Sequence, residues 1–263
     1  MPPLATTILH NQQDTMFKIV SSEAATQCGP TVVFAHADQA CISNRALYLL
    51  DAGCKNSIVD EYTLKDGSEA SIKPITEDAC EVPDLKVTHI LNAHGVAQVS
   101  VVCLLAHIPR ECAHVVAMEL LDMFVTSQQL LIVSAYHFST GVGNSSDVHA
   151  ATLDTSLPQD MNISSFPTLP TSMRVNDPLL GALVNGLSVE DLPTVILATS
   201  SRRPNKHTTH SDECVAIRKL QQAVSSLVSE VTFNTPDRDS EIPTIELTAA
   251  YKLEQEARTQ MYQ

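Results

Sequence analysis

Three side chains that could support nucleophilic catalysis, His36, Asp38 and Cys41, lie at the end of the apolar run Thr31–His36. That run predicts a buried strand, and α/β proteins place their active sites at the carboxyl ends of such strands. A cysteine beside a histidine can act as a nucleophile, with the histidine as its general base. Catalysis also needs an orienting group and an oxyanion site, and the sequence shows neither. We therefore predict no catalytic residue, and an enzyme of the phosphorylase or hydrolase type that uses this strand end stays an alternative.

Two further groups have the residue types of metal and phosphate sites. The possible metal ligands are His207, His210, Asp212 and Cys214. Both histidines precede a predicted helix, so the i, i+4 spacing of a helical zinc site is absent, and an exposed polar loop is the preferred interpretation. The run Gly141–Gly143 follows a predicted strand, as a phosphate-binding turn would, but it lacks a third glycine and a following helix. We predict no metal site and no cofactor.

The charge of the chain excludes whole classes of partner. Its 16 Lys and Arg against 30 Asp and Glu give a formal charge of −14, which repels nucleic acid and anionic membrane surfaces. The sequence shows neither a membrane-spanning apolar stretch nor a basic, apolar secretion signal. The seven cysteines are odd in number and form no C-x-x-C pair, which favours reduced thiols and a cytoplasmic location.

Apolar periodicity predicts strands that alternate with helices. The predicted strands are Thr31–His36, a hairpin of Ser57–Leu64 and Glu69–Ile75 with a turn at Asp66-Gly67, Lys86–Asn92, Gln98–Ala106, Leu130–Ala135 and Thr194–Thr199. The predicted helices are Asp38–Ala52, Pro109–Ser127, Pro178–Leu187, Ser211–Val231 and a last helix from about Pro243. Strand, helix and strand with short joints indicate a parallel crossover. We expect one α/β domain over residues 1–263, with a mixed, partly parallel sheet flanked by helices.

Two segments do not fit this alternation. Ser, Thr, Asn, Gly and Pro dominate residues 138–175, which predicts a long, irregular and flexible insertion. Residues 244–263 are mostly polar and predict an exposed helix or tail. The tail ends in Met261, Tyr262 and Gln263, where an apolar side chain, a phenol and a terminal carboxylate could fill a groove, form an oriented hydrogen bond and pair with a buried lysine.

This ending resembles the hydrophobic-Tyr-X ending of proteasome activators and assembly chaperones. Upstream, Asp177-Pro-Leu-Leu-Gly-Ala-Leu-Val-Asn-Gly-Leu and then Asp191-Leu-Pro-Thr-Val-Ile-Leu-Ala-Thr-Ser are similar to a helix–loop–strand region of the proteasome assembly chaperone family. A helix like Glu213–Val231 and a polar stretch follow in that family. The resemblance therefore covers residues 177–263, about the last third of the chain.

The resemblance implies a function without catalysis. The chain would form a heterodimer with a second assembly chaperone on the outer face of the proteasome α-subunit ring, in the cytoplasm and also in the nucleus. Met261, Tyr262 and Gln263 would enter a pocket between adjacent α subunits. The pair would favour α-ring assembly, block α-ring dimerisation and prevent early docking of activators. An adaptor whose tail is incidental is a third interpretation beside the enzyme.

Overall fold

The computed structural model describes residues 17–19, 27–38, 41–50, 57–62, 64–66, 84–106, 108–136, 147–153, 163–169, 177–200, 210–234, 239 and 242. The strands are β1 (Phe17–Ile19), β2 (Thr31–Ala35), β3 (Ser57–Tyr62), β4 (Leu64–Asp66), β5 (Leu85–Leu91), β6 (Ala97–Leu104), β7 (Gln129–Tyr136), β8 (Val148–Thr152) and β9 (Thr194–Ser200). The helices are α1 (Ile42–Tyr48), α2 (Ala113–Phe124), α3 (Pro178–Val189) and α4 (His210–Leu227). They form one α/β domain, as the sequence predicts.

Most strands belong to a 7-stranded sheet of order β3-β5-β6-β2-β7-β9-β8. The central strands β6, β2, β7 and β9 are parallel to one another. Antiparallel pairs add β5 and β3 at one side and β8 at the other. The predicted mixed, partly parallel sheet is confirmed, and the crossover through α2 carries the chain from β6 across β2 to β7.

Helices cover both faces of this sheet. Val33 and Ala35 of β2 point to the layer of α1 and α4, whereas Val32 and Phe34 point to the layer of α2 and α3. All four side chains are buried, because a central strand between two helix layers meets no water on either face. This explains why the central strands are nearly continuous apolar runs.

Two helices begin later than the sequence predicts. α2 begins at Ala113 rather than Pro109, because residues 110–112 form a turn in which the Cys112 N–H donates to the Pro109 carbonyl (3.0 Å). α1 begins at Ile42 rather than Asp38, and Cys41 before it has a left-handed backbone with φ of 49°. Polar contacts of the preceding loop, described below, replace the predicted first turn of α1.

The hairpin predicted after α1 is wrong in its turn at Asp66. Residues 57–62 form β3, which pairs with β5. Asp66 lies in β4 and pairs with Phe17 of β1 instead of forming a turn. The predicted second strand, Glu69–Ile75, lies outside the described residues.

The insertion at 138–175 is not wholly irregular. Val148–Thr152 form β8, an edge strand antiparallel to β9, and Ile163–Ser165 form a short 3-10 helix. Thr168 makes a bridge to Ala150. The sequence does not predict this strand. Most of the remaining insertion and the predicted helix or tail at 244–263 lie outside the described residues.

Candidate functional site

Buried and partly buried polar residues meet at the carboxyl ends of the central strands. We call His36, Asp38, Tyr136 and Asp177 the strand-end cluster. His36 and Asp38 follow β2, Tyr136 ends β7, and Asp177 precedes α3. The His36 Nε2 and an Asp177 carboxylate oxygen are 3.4 Å apart, and the His36 ring stacks on Phe34. The sequence predicts that His36 and Asp38 lie together, but not that Asp177 joins them.

The Asp38 carboxylate links β2 to β7 and α1. One oxygen accepts the Ala135 N–H at 2.7 Å, and both oxygens lie 3.3–3.4 Å from the Ser43 nitrogen. The Ser43 hydroxyl donates to the His36 carbonyl at 3.0 Å. Burial raises the pKa of Asp38 to about 6, although His36 and the N–H donors oppose this shift. The carboxylate thus accepts hydrogen bonds from backbone N–H groups of this chain rather than contacting a substrate.

The buried His36 forms an ion pair with Asp177, which is partly exposed. Burial alone would lower the pKa of His36, but the attraction of Asp177, its hydrogen bond and Asp38 together raise this pKa above its usual value. Burial would raise the pKa of Asp177, but His36 and the N–H groups of Leu180 and Leu179 lower it to about 2. Asp177 is also the N-cap of α3, accepting the Leu180 N–H at 2.8 Å. The negative charge of Asp177 therefore stabilises the start of α3, and His36 helps to keep that carboxylate ionised.

Cys41 does not have the properties of a nucleophile. The residue is buried, and burial followed by the Asp38 charge raises the pKa of its thiol to about 12, although Arg45 opposes the shift. Reactive cysteines have a lowered pKa and are accessible, because the thiolate is the attacking species. The strand-end cluster thus gives no support to a Cys–His nucleophile.

A second buried network, which the sequence analysis missed, crosses β3, β5 and β6. The His89 Nδ1 lies 2.8 Å from the Ser100 hydroxyl, which also accepts the Gly29 N–H at 2.8 Å. The His89 Nε2 lies 3.4 Å from an Asp60 carboxylate oxygen. These are the groups of a hydrolase triad, but His89 and Ser100 are both 0% exposed, so a substrate cannot reach the hydroxyl. Strand register, which places His89 opposite Ser100, is the signal that would have found them.

The residues predicted as possible metal, phosphate or docking sites lie in other parts of the chain. Cys214 is buried and its Sγ faces the Asp239 carbonyl, while His210 and Asp212 lie at the start of α4. Within the described residues, no three His, Cys, Asp or Glu side chains converge to hold a metal ion. His207, the run 141–143 and the tail residues Met261, Tyr262 and Gln263 lie outside the described residues. No helix in the described parts is long and apolar enough to span a membrane.

No family model and no curated protein matches the sequence. Solved structures do match. PbaA of Pyrococcus furiosus, an archaeal homolog of proteasome-assembly chaperone, is 10% identical with a TM-score of 0.62, over 88% of this chain and 96% of that one. PbaB of the same organism, an archaeal proteasome activator, is 11% identical with a TM-score of 0.61, over 94% and 99% of the two chains.

A third match is a Thermoplasma acidophilum protein of unknown function, which is 11% identical with a TM-score of 0.61, over 89% of this chain and 92% of that one. At these identities the likeness shows the fold. The chain has the fold of PbaA and PbaB along most of its length, so the fold that the resemblance implies is confirmed. The likeness also extends well beyond residues 177–263, which carry the resemblance in sequence.

Proposed function

We propose that the chain is a proteasome assembly factor that binds the α-subunit ring as one member of a heterodimer. The fold shared with PbaA and PbaB is the observation that carries this proposal, since one is a homolog of an assembly chaperone and the other a proteasome activator. The ending Met261-Tyr262-Gln263 adds a docking element of the type that the proposal requires. The proposed locations are the cytoplasm and the nucleus.

The tail supplies the contact to the α ring. The Met261 side chain fills an apolar groove between adjacent α subunits, the Tyr262 phenol makes an oriented hydrogen bond, and the carboxylate of Gln263 pairs with a lysine. Three residues bury little surface, so a single tail binds weakly. A heterodimer presents one tail from each chain, and the second tail binds at a high effective concentration once the first is seated. Pairing thus converts weak contacts into stable docking on the ring.

The proposal needs no catalytic step and no cofactor. Asp38 bonds backbone N–H groups, His36 pairs with Asp177, and Cys41 is a buried thiol with a raised pKa. The enzymatic alternative makes a separate prediction, because a ligand that binds only the folded state raises the thermal midpoint. A shift of several degrees with nucleosides or inorganic phosphate would favour the enzyme over the assembly factor.

Affinity capture from cell extract tests the proposal. The intact chain should retain proteasome α subunits and a second chaperone-like chain, identified by mass spectrometry. Deletion of residues 261–263 should remove most of the α subunits and leave the second chain, which contacts the folded domain. Tyr251→Ala is the control, because it alters a tyrosine of the same segment that lies upstream of the last three residues. Equal recovery of α subunits with and without the tail would favour the adaptor, and their absence from both would refute the proposal.

A further inference from the structure

The outer face of α2 and α3 exposes large apolar side chains. Val189 is 78% exposed, Val125 is 71% exposed and Met118 is 46% exposed. α3 has no charged residue over its entire length, although 17% of the chain is charged. Scattered apolar residues are common on surfaces, but large ones on neighbouring elements indicate a protein interaction site.

These side chains lie on adjacent helices. α2 connects β6 to β7, and α3 leads into β9, so both helices run against the same parallel strands and in the same direction. Gly186 of α3 packs directly on the Leu121 side chain of α2, with no space for a Cβ atom. Val125 and Val189 follow these contact residues by about one turn. The two valines therefore lie at the same end of the α2–α3 pair.

Acidic side chains lie next to both valines, and we call them the acidic rim. Asp122 on α2 and Glu190 and Asp191 after α3 are exposed, and the segments 113–128 and 177–193 contain no Lys or Arg. Two copies of the chain would bring their acidic rims together, on molecules of charge −14 each. Like charges that face each other across an interface repel and suppress such pairing. The rim therefore selects a different protein rather than a second copy.

We infer that the α2–α3 face, defined by Met118, Val125, Val189 and their acidic rim, binds the second chain of the heterodimer. The partner surface has an apolar centre that covers the valines and a border of Lys or Arg that pairs with the rim. This inference rests on the proposed function, in which such a partner exists. It places the partner on the helix layer of α2 and α3, opposite the layer of α1 and α4.

Photo-cross-linking in cells tests the location. A benzoylphenylalanine in place of Val189 should form an adduct with one second protein, and mass spectrometry should place the attachment site on a surface of that protein that carries Lys or Arg side chains. The same group in place of Val96, which is 57% exposed in the turn between β5 and β6, is the control and should not give this adduct. No adduct from position 189, an equal adduct from position 96, or an adduct with a second copy would each overturn the inference.

Charge reversal tests the rim. The double variant Asp122→Lys, Glu190→Lys should weaken binding of the cross-linked partner by about tenfold at low salt, with a smaller effect at high salt. Glu61→Lys, on the exposed side of β3, is the matched control and should bind as the unaltered chain does. Equal binding by the double variant and the control would show that the rim takes no part.

The two proposals fail in different ways. If affinity capture retains α subunits through the tail but position 189 gives no adduct, the assembly function stands and this surface is wrong. If position 189 cross-links a basic-rimmed partner while no α subunits are retained, the surface stands and the proteasome function is wrong.

Discussion

Asp38 shows how burial can make an acidic residue a source of pH dependence. Its pKa is raised from 3.8 to about 6, so the folded state binds a proton that the unfolded chain has released. The resulting stability is present below pH 3.8 and is lost as the pH rises through about 6. His36, whose pKa is raised above 6.5, acts in the same direction, and its contribution is lost at higher pH. Asp177 acts in the opposite direction, because its pKa is lowered from 3.8 to about 2. The stability that it contributes is present above pH 3.8 and is lost as the pH falls through about 2.

We therefore expect the free energy of unfolding to fall as the pH rises from about 4 to 8, by an amount of the order of 2 kcal/mol. Urea titrations at several pH values measure this change. Asp38→Asn should flatten the curve between pH 4 and 6, because the side-chain oxygen can still accept the Ala135 N–H but no proton is exchanged. Asp122→Asn, on the exposed side of α2, is the control. A stability that increases from pH 5 to 8 would contradict the prediction.

Two glycines should respond in opposite ways to replacement by alanine. A Cβ at Gly29 would lie 2.9–3.0 Å from backbone atoms of Ala97 and Gln98, and a backbone cannot rotate away as a side chain can. Gly29→Ala should destabilise the fold by about 1–3 kcal/mol. A Cβ at Gly181, inside α3, meets nothing within 4 Å, so Gly181→Ala should stabilise the helix by about 0.5–1 kcal/mol. Thermal or urea unfolding of the two variants should give shifts of opposite sign.

At the scale of elements, a buried ion pair joins α1 to α4. The Arg45 guanidinium is buried and lies 2.6 Å from the Glu213 carboxylate, which is partly exposed. Loss of one partner from a buried pair costs more than the pair contributes, because the remaining charge stays in a poorly solvated site. The cost should depend on which partner remains, since Glu213 can be hydrated and Arg45 cannot.

We predict that Glu213→Gln lowers the free energy of unfolding by roughly 2–4 kcal/mol, whereas Arg45→Met lowers it by less than about 1 kcal/mol. In the first variant the buried guanidinium loses the negative charge of Glu213. In the second, a long apolar side chain fills the site and the carboxylate turns to water. Denaturant unfolding of both variants gives the comparison, and a larger cost for Arg45→Met would show that packing by the arginine stem dominates.

Buried elements with strong local signals were predictable from the sequence. The strands β2, β6, β7 and β9 are largely apolar, and β5 mixes apolar with polar residues. Asp177-Pro178 is an N-cap followed by a helix-starting proline. β8 was missed because it is short, lies at an edge and is defined by its pairing with β9, which no local pattern reports. The start of α1 was placed too early because Asp38 bonds Ser43 and Ala135 rather than capping a helix at its own position.

The strand-end cluster was predictable only in part, for the same reason. His36 and Asp38 follow one strand and are close in sequence. Asp177 reaches His36 only because α3 packs beside α2 over the carboxyl end of β2. The network of His89, Ser100 and Asp60 depends on the register of three antiparallel strands. Contacts between residues distant in sequence are set by the assembled sheet, so neither cluster has a local signal.

At the scale of the whole molecule, the proposed function separates a folded domain that pairs from a tail that docks. The described core is formed by two helix layers on one sheet and includes Ile242, the last residue that the structure describes. If docking depends on the last residues alone, their replacement should change binding without changing the stability of the domain. This separation distinguishes the tail from every site in the core, where substitutions would alter both properties.

Tyr262→Ala should therefore reduce binding to isolated proteasome α rings by at least about tenfold, because the phenol provides both apolar contact and an oriented hydrogen bond. If the tail does not pack on the domain, the thermal midpoint should stay within about 1 °C of the unaltered chain, since substitutions away from the core rarely exceed about 0.5 kcal/mol. Tyr262→Phe retains the ring and should bind at an intermediate level. Binding measured on a sensor surface, beside a thermal melt of each variant, gives both quantities. Loss of the folded state in Tyr262→Ala would show that the tail packs on the domain, and docking through a separate tail would be wrong.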